Sequence, residues 1–142
     1  MLGRRQILEL IPHQVASCVL DRVVRWSASG IVCSATSHLD PANPLRRAGR
    51  LGAICGAEYG LQAAAVHSVL IAEKTRRAGY LVSLRDVEVN TERLDDAALG
   101  ELVIEANLLH QDASALSYNF QLLSGAGNCL LAARAVIALA DE

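Results

Sequence analysis

From Gly56 to His67 the chain runs Gly-Ala-Glu-Tyr-Gly-Leu-Gln-Ala-Ala-Ala-Val-His, and this stretch most narrows what it can fold into. Read at helical spacing it is apolar around most of its circumference, and such a helix is stable only when enclosed on all sides. The segments after it have the wrong period to be further helices. Leu102, Ile104, Ala106 and Leu108 alternate with Glu101, Glu105 and Asn107, and Leu116, Tyr118, Phe120 and Leu122 alternate with Ser117, Asn119 and Gln121. That is the two-residue period of half-buried strands. The sequence therefore predicts an α+β fold, an antiparallel β-sheet wrapped around one long central helix.

The remaining elements fit that plan. Residues 4–10 predict a short helix ended by Pro12, which lacks an amide donor and disfavours helical geometry in the residue before it. Val19 to Trp26 and Ile31 to Ser37 predict two strands joined by Ser27-Ala28-Ser29-Gly30, and Asp21 and Arg22 read as structural cross-strand partners. The proline-bearing, arginine-rich stretch from Asp40 to Arg50 predicts a loop. The central helix is expected from about Ala57 to Lys74, followed by strands at 80–89, 101–108, 116–122 and 131–139, with a turn at Gly125-Ala126-Gly127-Asn128. With no crossover helices between them, these strands pair antiparallel. No internal repeat or linker interrupts the chain, so residues 1–142 are expected to form a single domain.

Composition excludes several function classes. The chain is 52% hydrophobic but only 4% aromatic, and its mean hydropathy is +0.28. An interior of Ala, Leu and Val packs tightly, and a monomer this apolar should expose a patch that a second chain covers. A net charge of −2 without a basic stripe argues against nucleic acid. The longest apolar run, Leu61 to Ala72, is too short for a membrane span of about 20 residues. Arg4-Arg5-Gln6-Ile7-Leu8-Glu9-Leu10 lacks the apolar core of a signal peptide, so the cytoplasm is the expected compartment. Cys18, Cys33, Cys55 and Cys129 show no Cys-x-x-Cys spacing, which predicts reduced, buried thiols and no metal site.

Ile11-Pro12-His13 followed by Leu20-Asp21-Arg22-Val23 resembles the opening of hotdog-fold 3-hydroxyacyl-[acyl-carrier-protein] dehydratases. Ala57-Glu58-Tyr59-Gly60-Leu61-Gln62-Ala63 is similar to the start of their central helix, where a catalytic carboxylate precedes a Gln-Ala pair. Asn43-Pro44-Leu45-Arg46-Arg47, Gly79-Tyr80-Leu81 and Arg85-Asp86-Val87 place the resemblance in the short branch associated with aryl-polyene and type II fatty-acid or polyketide pathways. The resemblance covers nearly the whole chain. It implies a hotdog fold and elimination of water from a 3-hydroxyacyl thioester carried on the phosphopantetheine of an acyl carrier protein. It implies no further cofactor and two sites at a dimer interface.

One departure bears directly on mechanism. The well-known dehydratases carry a His-Phe-Pro-Gly loop before the helix, whereas Leu45 to Gly52 here holds three arginines and no histidine. Arginine stays protonated below a pH of about 12 and cannot serve as the base. The base then comes from another histidine of this chain or from a second hotdog chain in a heterodimer; a homodimer is the other arrangement. His13 is the leading internal candidate, because it belongs to a matching motif. His38 and His110 end predicted strands, and His67 is half a turn out of phase with Glu58 and reads as a core histidine. Glu58 is the candidate acid, at a helix start whose amides and dipole favour negative charge and can hold a carbonyl oxygen. Gly56, Ala57 and Gln62 are candidate substrate-binding neighbours, and Gln62 is placed to hold Glu58 one turn away. Arg46, Arg47 and Arg50 read either as a solvated loop or as receivers of the phosphopantetheine phosphate or an acidic carrier protein. Two alternatives stand beside the dehydratase: an acyl thioesterase working with Glu58 alone, and a non-catalytic partner subunit.

Overall fold

The apolar helix dictates the architecture, because the central strands turn their buried faces toward it. The computed structural model describes residues 1–11, 17–72 and 79–139. The described elements are β1 (Leu2–Gly3), α1 (Arg4–Leu10), β2 (Arg22–Ser27), β3 (Gly30–Ala35), α2 (Gly56–Leu70), β4 (Gly79–Val89), β5 (Leu102–Gln111), β6 (Ala115–Leu123) and β7 (Cys129–Leu139). All pair antiparallel in one sheet of order β1-β2-β3-β5-β6-β7-β4. The two-residue β1, paired to Val23 and Arg22, went unpredicted because it is too short to show a period.

Ile31, Cys33 and Ala35 of β3, Leu102, Ile104 and Ala106 of β5, and Tyr118, Phe120 and Leu122 of β6 form the inner face, all buried. Helix α2 lies against β3, β5, β6 and β7. Its glycines set how closely it can lie. A Cβ on Gly60 would sit 1.9 Å from Phe120 Cδ1, and one on Gly56 would sit 2.7 Å from Leu122 Cδ2. The burial is not quite uniform. Glu58, Leu61, Ala65 and Val69, at spacings of three and four, are only half-buried and form a single stripe along the helix.

Helix α2 ends four residues before the expected Lys74. Ile71 closes the last turn, with its N–H on the His67 and Val69 carbonyls, and Ala72 N–H bonds back three residues to Val69 O at 3.3 Å. The apolar pattern carries no glycine or proline to mark this stop, which is why periodicity overruns it. Strand β4 crosses to the far edge and among the described residues pairs only with β7, through irregularities at Leu81/Ser83 and Arg85/Glu88, where Asp86 adopts φ 54°. Leu81, Val82, Val87 and Val89 are exposed along this edge.

Among the described residues no helix is long and apolar enough to cross a membrane. All four cysteines are free, Cys18 and Cys33 fully buried, and burial pushes the Cys33 thiol up to about 12.

Candidate active site

Glu58 occupies the first turn of α2, half-buried, and Gln62 fixes its orientation from one turn further on. Gln62 is 1% exposed and uses its amide in full view of three partners. Its Oε1 accepts from Val19 N–H at 3.0 Å, while Nε2 donates to Ser17 O and to Glu58 Oε1, both at 2.9 Å. Because the oxygen must face the Val19 amide, the NH2 group must face the carboxylate, so the geometry allows one amide orientation. Gln62 thus ties Glu58 to the segment that follows His13 in sequence. His13 itself lies outside the described residues.

The start of α2 differs from a bare helix end. A single 3-10 turn, Ala53–Cys55, runs directly into it, no side chain caps it, and the Gly56 N–H is engaged by the Ala53 and Ile54 carbonyls. Gly56, a candidate substrate-binding neighbour, gives its amide to the helix start and packs on Leu122. Ala57 is buried beside it.

Next to Glu58, Tyr59 points the opposite way, into the core. Its hydroxyl shares a 2.8 Å bond with Ser37 Oγ and accepts from Asn43 Nδ2 at 3.2 Å, while Ser37 Oγ donates to Val19 O at 2.6 Å. Burial raises the Tyr59 pKa, so the phenol stays protonated. This network fastens the loop after β3 to the helix start. Sequence reading missed it; Asn43, a polar residue set between Pro41 and Pro44, was the available signal, and the structure buries it.

The three arginines part ways. Arg46 turns inward: Nε donates to Asp40 O at 2.9 Å, Nη1 to Gly49 O and Nη2 to His38 O at 3.1 Å, and Nη1 lies 3.5 Å from Asp95 Oδ2. Of the three arginines read either as a solvated loop or as anion receivers, Arg47 and Arg50 are the exposed pair. They face each other across a tight two-residue turn, Ala48-Gly49, with φ of 53° and 71° and reciprocal backbone bonds of 2.8 and 3.0 Å. Positive φ at both central residues is the geometry of a type I′ turn.

The other histidines have separate roles. His67 is fully buried, with Nδ1 2.8 Å from Tyr118 Oη and Nε2 2.8 Å from Ser27 O. The carbonyl can only accept, so Nε2 carries the proton and Nδ1 accepts from the tyrosine. Burial lowers its pKa, which keeps it neutral. His38 is also fully buried, and neither ring nitrogen has a hydrogen-bond partner among the described residues. Burial lowers its pKa too, partly offset by a Gly100 backbone group and Asp21. His110 is exposed and lies 3.6 Å from Asp112. Asp21 and Arg22, read as cross-strand partners, bond to other residues instead: Asp21 accepts from Thr36 N–H and Oγ1, and Arg22 donates to Ser34 Oγ and Glu101. A cleft of about 430 Å3 opens on the outer sheet face beside Trp26, Gly30 and Glu105, and its lining includes neither Glu58 nor Gln62. Among the described residues no three His, Cys, Asp or Glu side chains are grouped to hold a metal.

A family model described as ApeP-like, ApeP dehydratase, matches residues 5–141. The dehydratase heterocomplex ApeI:P from Xenorhabdus doucetiae is similar in structure, with TM-score 0.83 and 22% identity over 96% of this chain and 91% of that one. A mutant thioesterase from Pseudomonas aeruginosa gives TM-score 0.71 at 12% identity, covering 98% of both chains. AziG from S. sahachiroi gives 0.65 at 15%, covering 85% of this chain and 91% of its own. No curated protein matches the sequence. At these identities the solved structures speak to architecture, and the architecture is the hotdog fold.

Proposed function

This chain belongs to the ApeP-like dehydratase family, and on that premise we propose that it removes water from 3-hydroxyacyl thioesters presented by an acyl carrier protein, as one half of a dimer with a second hotdog chain. The observation that carries the reading is the Glu58–Gln62 pair: a half-buried carboxyl at the head of a buried helix, held in one orientation by an amide with no other freedom. A base removes the proton alpha to the thioester carbonyl, the carbon–oxygen bond to the 3-hydroxyl breaks, and Glu58 delivers a proton to the departing oxygen as water. The base is His13 or a histidine of the partner. The bonds balance without a redox change, so the chemistry calls for no metal or redox cofactor.

Two features support the partner chain. The first is the apolar edge strand β4, with Leu81, Val82, Val87 and Val89 exposed and one side of its ladder unpaired within the described sheet. Such an edge is a template for a second strand. The second is the stripe of Leu61, Ala65 and Val69 that continues from Glu58 along α2, where an acyl chain or a partner's apolar surface would complete the burial. The similar structure is itself a dehydratase heterocomplex, ApeI:P. Arg47 and Arg50, paired at an exposed turn, suit the phosphate or acidic surface of the carrier. The cytoplasm is the compartment in which such a carrier would be met.

The test is elimination by the chain reconstituted with its cognate hotdog partner, followed by formation of the conjugated enoyl thioester. Glu58→Gln should lower kcat by about 100-fold or more, the usual worth of a general acid. Full activity of Glu58→Gln would remove this residue from the chemistry. The same assay, read for free thiol, decides the thioesterase alternative that the Pseudomonas aeruginosa neighbour raises.

A further inference from the structure

Helix α2 begins without a side-chain cap, so something upstream must set where its first turn lies. The residues just before it supply the answer. Leu51 O accepts from Leu94 N–H at 2.8 Å, Ala53 N–H donates to Glu92 O at 3.2 Å, and Gly52 bridges antiparallel to Arg93. The two stretches 51–53 and 92–94 thus form a short strap, with Leu51 and Leu94 both fully buried beneath it. Asp95 closes the strap. Its side chain is only 3% exposed. Oδ1 accepts from Leu51 N–H at 3.1 Å and from Arg93 Nε at 2.9 Å; Oδ2 meets Arg93 Nη2 and lies 3.5 Å from Arg46 Nη1. Arg46 in turn gathers the carbonyls of His38, Asp40 and Gly49, so one carboxylate fastens the whole loop between β3 and α2.

The other end of the strap is rooted in the sheet edge. Val89, the last residue of β4, pairs with Leu131, and Asn90 N–H donates to Leu130 O at 2.9 Å. Five residues later the chain reaches Asp95. The covalent and hydrogen-bonded route therefore runs from edge strand β4, through Asp95, to the Leu51 amide and on to Glu58.

We propose that Asp95 is a positioning residue for Glu58: by clamping Leu51 and Arg46 it fixes the start of α2, and through β4 it ties that placement to the strand edge where a partner pairs. The inference rests on the dehydratase reading and adds to it a residue that touches neither substrate nor Glu58. A displacement of about 1 Å at a reacting group is enough to lower turnover by about 100-fold.

The experiment uses the complex with the cognate partner and compares the unaltered chain with Asp95→Asn, which keeps an acceptor for the Leu51 amide, and Asp95→Ala, which does not. We expect kcat to fall roughly tenfold for Asp95→Asn and toward 100-fold for Asp95→Ala, with KM within about twofold. Amide hydrogen exchange should rise over residues 51–58 and stay unchanged over 63–70. Both readouts must move. An unchanged kcat, an unchanged exchange over 51–58, or a uniform rise along all of α2 with KM rising in step overturns the proposal. Glu58→Gln run in parallel separates the two levels. If it is inactive while the Asp95 variants behave like the unaltered complex, the positioning role alone is wrong. If Glu58→Gln is fully active, the dehydratase role of Glu58 is wrong, and the exchange data alone decide whether Asp95 holds the strap.

Discussion

Replacing Gly60 by alanine sets two effects of known size against each other. Helix propensity alone favours alanine over glycine by about 1 kcal/mol in a helix interior. The structure opposes it: the added Cβ would meet Phe120 Cδ1, Cε1 and Cγ at 1.9, 2.3 and 2.4 Å, where real Cβ contacts essentially never fall below 3.0 Å. Phe120 is 1% exposed, so the ring has no solvent to swing into and must displace its neighbours by about an ångström. Overpacking of this kind costs about 1–3 kcal/mol, and overlap with three ring atoms belongs at the upper end. Subtracting the propensity gain leaves a net loss of about 2 kcal/mol. Urea unfolding at fixed protein concentration reads it as a lower midpoint at constant slope. In a Phe120→Ala background, which lacks the three overlapping ring atoms, only the propensity gain remains, so the pair should couple by about 3 kcal/mol. Gly52→Ala is the control, since nothing lies within 4 Å of its Cβ position, and it should change stability by less than about 0.5 kcal/mol. A Gly60→Ala protein that gains the 1 kcal/mol of propensity would show that α2 does not pack on β6 at this distance.

Gln62→Leu removes the hydrogen bonds that Gln62 makes to the Val19 amide, the Ser17 carbonyl and Glu58, so stability should fall by about 2 kcal/mol and kcat should fall with it; unaltered turnover would detach Gln62 from the site. Tyr59→Phe strips a hydroxyl from Ser37 and Asn43 and should lower the thermal midpoint by an amount equivalent to about 1–2 kcal/mol. His38 and His67 both have their pKa lowered by burial, so the folded protein keeps them neutral while the unfolded chain takes up protons near pH 6.5. Their contribution is complete above that pH and is lost as pH falls toward the depressed folded values. Urea midpoints at pH 7.5 and 5 should therefore separate, and His38→Leu should narrow the gap; an equal gap in both proteins would contradict the assignment.

What could be read in advance follows from the range of the forces. The inner faces of β5 and β6 were visible because each strand alternates between one buried and one solvated side, and Leu102 to Ala106 and Leu116 to Leu122 keep that alternation in the fold. Strand β4 alternates poorly for the opposite reason: it lies at an edge, carries two irregularities and leaves Val82, Val87 and Val89 exposed. The Glu58–Gln62 contact was accessible because it spans one helical turn. The locks around it were not, since Gln62 reaches Ser17 and Val19, and Leu51 reaches Asp95, across more than forty residues. No local period reports a partner that distant. Arg46 illustrates the same limit. Its neighbours in sequence group it with Arg47 and Arg50, but the Asp95 carboxylate, from the segment after β4, recruits it inward.

The enclosure of α2 also has a consequence for biogenesis. The helix ends at Leu70, whereas β5, β6 and β7, which cover most of it, lie in the second half of the chain. During synthesis an oily rod leaves the ribosome well before its own wrapping exists, and contacts of such long sequence separation form slowly. Until the last strand arrives, shelter must come from chaperones or from the ribosome surface.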